Sequence, residues 1–164
     1  MPLRTPVSRS TGTEESTLSQ AVEAHATITA APDTVFAYLA DYRCAEVFIE
    51  GLEQLTPIGS RTTGVGARFD AILKVVGRTF RTVIVIASLE PGRSITWSSV
   101  GEDNQSLTFE LRPEPGGGTS ISLTVSYEPP GGLSGALIAP FVARTVQQRA
   151  TGTLERLQAH LPPT

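Results

Sequence analysis

The sequence predicts an α+β domain: an antiparallel sheet of about seven strands, two short helices after the first strand, and a long C-terminal helix that covers the sheet. Three observations carry this expectation. Residues 22–28 alternate apolar and polar side chains and then give way at Pro32 to helical spacing. From Leu52 onward, alternating runs are separated by short glycine- and proline-bearing turns, and connections that short join antiparallel neighbours. Beyond residue 132 the apolar period changes from two to that of a helix.

Taken in order, residues 1–20 are rich in Ser, Thr, Glu and Pro and poor in large apolar groups. They bury too little to offset the entropy of ordering and are expected to form a disordered tail, leaving residues 21–161 as one domain. Val22, Ala24, Ala26 and Ile28 alternate with Glu23, His25, Thr27 and Thr29, the pattern of a half-buried strand. Pro32 suits the first position of a helix, where its missing N–H costs nothing, and Asp33 suits the positive end of the helix dipole. Val35, Phe36 and Leu39 form the inward stripe of that helix. Residues 42–49 read as a second short helical turn that ends near Gly51.

The strands that follow are punctuated by turns at residues 64–66, 76–78, 90–93, 100–104 and 113–118. Phe69, Ala71 and Leu73 share one parity against Arg68, Asp70 and Lys74, and Ile95 and Trp97 oppose Ser94, Thr96 and Ser98. Leu107, Phe109 and Leu111 are aligned in the same way, as are Ile121, Leu123, Val125 and Tyr127 against Ser120, Ser122, Thr124 and Ser126. One face is dry and the other wet. Residues 83–87 are apolar on both parities, which fits a doubly covered strand or a dimer contact. In the final helix, Leu133, Leu137, Phe141, Thr145, Val146, Arg149, Thr153, Leu154 and Leu157 form one side, and Pro140 kinks it or marks where its regular part begins.

Composition narrows the function. A chain of 164 residues, 40% hydrophobic and 18% charged, builds one domain with a full core. The net charge of −3 and the single lysine, Lys74, argue against nucleic acid as a partner. One cysteine, Cys44, and two distant histidines, His25 and His160, leave neither an intrachain disulfide nor a structural zinc site, and suit a reducing cytoplasm. A secretory apolar segment and an apolar run of the roughly 20 residues that span a bilayer are both missing, so stable membrane insertion is not expected. Paired carboxylates, phosphate loops and nucleophile elbows are absent, and Gly64-Val65-Gly66 is followed by strands, so no cofactor is expected.

The residues that punctuate this order are Ile28-Thr29-Ala30-Ala31-Pro32-Asp33-Thr34-Val35-Phe36, Leu39-Ala40-Asp41, Gly64-Val65-Gly66-Ala67-Arg68-Phe69, Leu89-Glu90-Pro91, Ile95-Thr96-Trp97 and Gly117-Gly118-Thr119. In that sequence they resemble the START-like helix-grip superfamily (SRPBCC), and within it the bacterial polyketide cyclase/dehydrase-like group, over residues 22–160. The resemblance implies a curved sheet wrapped around the last helix with a cavity between them. It also implies a lipid, steroid, polyketide or hormone as ligand, with cyclisation or dehydration in a minority of members. The group has no universal catalytic motif, so function rests on the residues of the cavity.

The candidate ligand-binding residues are Phe69, Trp97, Phe109 and Tyr127 on the inward parity of the sheet, and Phe141, Thr145 and Arg149 on the helix. Ile95, Leu107 and Leu123 share the sheet parity, and for all of these a filled core is the competing reading. Trp97 and Tyr127 stand out because an indole N–H or a phenol on an apolar face needs a partner. Arg149, four residues beyond Thr145, either anchors a carboxylate or phenolate or snorkels to the rim. His25 and His160 read as solvent-facing, Tyr38, Arg43 and Glu46 as surface or as a gate beside the pocket mouth that the resemblance implies, and Cys44 as unreactive. No catalytic or metal-binding residue is assigned.

The expected function is therefore the binding of a lipid-, polyketide- or aromatic-like molecule by a carrier, sensor or sequestering module. The alternatives are a cyclase/dehydratase using Arg149, Tyr127 or a Tyr38/Glu46 pair, and an interaction module that dimerises through residues 83–87. A monomer or a homodimer fits the first reading.

Overall fold

The computed structural model describes residues 20–101, 104–128 and 132–161, with the side chains of 132–139 excepted. Strand β1 (Gln20–Ile28) leads into helices α1 (Pro32–Ala40) and α2 (Tyr42–Phe48). Six strands follow, β2 (Leu52–Ile58), β3 (Arg68–Val75), β4 (Arg78–Glu90), β5 (Ser94–Val100), β6 (Ser106–Pro113) and β7 (Thr119–Tyr127), and helix α3 (Gly132–His160) closes the order. Gln20, expected at the end of the tail, is already in β1; the rest of the expected tail lies outside the described residues.

The seven strands form one antiparallel sheet in the order β1-β7-β6-β5-β4-β3-β2. Consecutive strands β2 to β7 are neighbours because their connections are too short for anything but hairpins. At the tightest of these, Val76 and Gly77 both adopt positive φ, 51° and 77°, which suits the strand twist of a two-residue turn. Strand β1 then lies against β7, so the helical pair that follows it starts beside the last hairpin. Thr119, wholly buried, fixes this corner by donating a hydrogen bond of 2.7 Å to the Ala30 carbonyl. Gly118 is obligatory there, since a Cβ would stand 2.6 Å from the Ile28 carbonyl oxygen.

The alternation expected of the strands is present. Phe69 pairs with Ile84, Ile86 with Trp97, Trp97 with Leu107, and Phe109 with Leu123, so these side chains share the inner face. The outer face carries hydroxyls, with Thr96 and Thr108 hydrogen-bonded at 3.0 Å. The ambiguous run 83–87 resolves by parity: Ile84 and Ile86 point inward, Val83 and Val85 outward, and a register shift between Ile86 and Ser88 ends the regular pairing. Val83 and Val85 are half-buried.

Pro140 lies inside α3, which starts at Gly132. Ala150, Thr153, Leu154 and Leu157 form its buried face. Leu133 and Leu137, expected on the same stripe, lie outside the described side chains. Helix α3 packs on β1, on α2 and on β7, at one edge of the sheet. The inner side chains of β3, β4 and β5 therefore need other partners. Near α1 and α2 they find them: Phe48 meets Phe109 edge-on with centroids 5.9 Å apart, and Tyr42 stacks on Phe69 at 5.2 Å. Toward the Val76–Gly77 turn they do not, and a gap opens.

Candidate functional site

The gap is a cavity of about 190 Å³ between the concave face of the sheet and α3. Leu73, Phe80, Ile84, Trp97, Leu107 and Leu123 line its sheet side, and Val146, Arg149, Ala150 and Thr153 its helix side. Ile49 and Glu50, from the turn after α2, join the two. The wall is apolar because these strand positions share the inward parity, with Leu73 directly opposite Phe80 and Trp97 opposite Leu107. Phe80, 47% exposed, and Gln105, also exposed, stand where the cavity meets solvent.

Two residues of that wall carry buried N–H groups without a partner. The Trp97 side chain is 2% exposed, its ring held 5.6 Å from that of Phe69, and its Nε1–H has no hydrogen-bond partner. Arg149 Nη2 donates to the Glu50 carbonyl oxygen at 3.0 Å, while its buried Nε–H is unpartnered. Burial pushes the Arg149 guanidinium below its ordinary range, and the Glu50 carboxylate works in the opposite direction. The turn that supplies Glu50 is pinned to α3, since the Glu50 N–H donates to Thr153 Oγ1 at 3.1 Å. Gly51 has φ +91°, and a Cβ there would stand 2.9 Å from Arg149 Nη2. Glycine thus serves both the turn and the guanidinium beneath it.

Of the seven residues expected to bind ligand, the structure brings Trp97 and Arg149 to the cavity wall. Phe69 and Phe109 are wholly buried in the aromatic packing beside α1 and α2. Tyr127, also buried, ends β7 opposite Gln20 and does not line the cavity. Thr145 is half-buried and off the wall, and Phe141, expected inward, is 71% exposed. The reason is helical drift: a four-residue step overshoots one turn by roughly 40°, so Phe141 lies roughly 80° around α3 from Arg149.

The residues beside the short helices have structural partners instead. Tyr38 packs on Phe48 at 5.7 Å, and burial raises its phenol above the ordinary range. Asp41 accepts from Arg43 N at 2.9 Å, capping α2, and from Arg43 Nη2 at 2.9 Å. Glu46 accepts from the Leu55 N–H at 2.9 Å. His25 and His160 are exposed, as their positions suggested. Burial raises the Cys44 thiol, which disfavours the thiolate. Among the described residues there is no cluster of three or more His, Cys, Asp or Glu that would hold a metal ion, and no helix long and apolar enough to cross a membrane.

Sequence reasoning missed Phe80 and Glu50. Phe80 was within reach, because its parity with Thr82 and Ile84 places it inward. Glu50 has no local signal; it meets Arg149 from 99 positions away.

Solved structures share this architecture at low sequence identity. The protein TTHA0849 from Thermus thermophilus superposes with a TM-score of 0.74 at 21% identity, over 87% of this chain and 97% of that one. The Zhui aromatase/cyclase from a Streptomyces species gives 0.73 at 15% identity, over 87% and 93%. A START superfamily protein from Mycobacterium smegmatis gives 0.67 at 11%, over 86% and 96%. Among curated protein sequences, none matches. Residues 19–162 match the sequence family described as polyketide cyclase / dehydrase and lipid transport, and with the fold that family implies now traced strand by strand, the chain belongs to it.

Proposed function

We propose that the protein binds a hydrophobic small molecule in the cavity between its sheet and C-terminal helix, acting as a carrier, sensor or sequestering module. The observation that supports this most directly is that Trp97, a residue of the cavity wall, has a buried indole N–H with no partner. Leaving such a group unpaired costs about 1–3 kcal/mol, and a ligand oxygen removes that cost. The apolar residues around it supply the rest of the binding free energy by burial. With one cysteine and a half-buried, unpaired thiol, we place the protein in a reducing bacterial cytoplasm, as a monomer or homodimer. Native mass spectrometry and solvent extraction of the purified protein should release an apolar molecule. Protein that is empty in repeated preparations and takes up no small apolar compound would overturn the reading.

A cyclase/dehydratase is the second reading, supported by the cationic Arg149 on the wall and by the likeness to an aromatase/cyclase. In it the guanidinium polarises a substrate carbonyl as negative charge develops on the oxygen. Tyr127 does not line the cavity, which leaves Arg149 to carry that task. Arg149→Ala should then abolish turnover of a polyketide-type substrate while product still binds; unchanged turnover removes the assignment.

A further inference from the structure

We infer that the ligand is a single-ring molecule, or one of equivalent size, that carries one uncharged oxygen acceptor. This rests on the binding reading above and names the class of molecule that the cavity takes. Size comes first. A cavity of about 150 Å³ is enough for benzene, whereas sites for drug-sized ligands begin at about 300 Å³. At about 190 Å³ this one holds a ring with a short substituent. Further rings would project past Phe80 and Gln105 into solvent, where they gain nothing from burial.

The polar chemistry follows from which donors are left over. Trp97 Nε1–H and Arg149 Nε–H are both buried and both unpartnered, and both side chains line the same cavity. Two spare donors ask for an acceptor, and a ligand without one leaves their desolvation uncompensated. The acceptor is neutral because a carboxylate already stands near the guanidinium. Glu50 lines the cavity, its carboxylate lies against Gly152, about one turn along α3 from Arg149, and its charge acts on the guanidinium through space. A ligand carboxylate would put two anions against one cation in a partly desolvated site, and that arrangement costs more than it returns. A ketone, ester or amide oxygen takes the hydrogen bonds without adding charge. Thr82 and Ser99, also on the wall, are hydroxyls and leave that balance unchanged.

The test uses the unaltered protein and four probes, with affinity read by titration calorimetry. Trp97 is the only tryptophan in the chain, so its fluorescence independently reports whether a probe reaches the cavity. Propiophenone is the reference. 2-Phenyl-1-butene has the same shape with a methylene in place of the oxygen, anthrone keeps the ketone on three fused rings, and 3-phenylpropanoate replaces it with a carboxylate. Propiophenone should bind about tenfold or more tightly than each of the other three. Equal affinity for the alkene overturns the acceptor, equal or tighter binding of anthrone overturns the size, and equal or tighter binding of 3-phenylpropanoate overturns the neutral charge. In each of these cases the pocket reading stands. If no probe binds or perturbs Trp97, the pocket reading itself fails. Trp97→Phe and Arg149→Met should each narrow the ketone-over-alkene preference. That preference is a ratio within one variant, so a general loss of affinity does not mimic the result, and a preference unchanged in both variants overturns the donor assignment.

Discussion

The two ends of the concave face are built from the same strands with the same alternation, yet one is solid and the other hollow. At the end beside α1 and α2, Phe48, Phe69 and Phe109 are wholly buried, and each meets an aromatic ring across the layer between helix and sheet. At the other end, Leu73, Ile84 and Leu107 face a gap, because α3 rests on β1 and β7 and leaves the inner sides of β3 to β5 unopposed. Trp97 belongs to both, with its ring 5.6 Å from that of Phe69 and its side chain among those that line the cavity. What separates core from site is thus where the helices lie, with the strand chemistry held constant.

If that division is real, truncations at the two ends should differ in kind. Phe109→Ala removes a packed aromatic and should lower the unfolding free energy by about 3–5 kcal/mol in a urea titration. Phe80→Ala, at the rim, should cost less than about 1 kcal/mol and reduce propiophenone affinity severalfold instead. Equal destabilisation by both would erase the distinction. Asp41→Ala, which uncaps α2 on the solid side, should cost about 1 kcal/mol with the cavity intact. Its pH dependence has a definite sign: the hydrogen bonds from Arg43 hold the Asp41 carboxyl below its ordinary range. That contribution is complete above the unfolded-state value and fades as the pH falls through the folded one, and the Asp41→Ala variant should lack this segment of the acid-unfolding curve. The smallest effect concerns Cys44, whose raised thiol should react with iodoacetamide more slowly in the native than in the denatured protein at pH 8. Equal rates would show that α2 gives it no protection.

Strand order and facing were legible because alternation is a local property: Trp97 points inward whatever lies above it. The difference between filling and lining was not, since Phe109 and Trp97 have the same parity and differ only in what the helices put over them. Arg149 was found from helical spacing, but extending that stripe by fours to Phe141 ignored the drift of a real helix. Glu50 was invisible because its role arises from a turn meeting a helix far along the chain.

The bonds that tie the Glu50 turn to α3 link residues 99 and 103 positions apart. The pocket is consequently among the last things the chain can complete: every strand has to be made and paired before α3 can close over it, and loops that long close slowly. A molecule that binds there recognises only finished copies. It should slow the lifting of the last helix by mass action, so its first measurable signature is a longer native lifetime under mild denaturant.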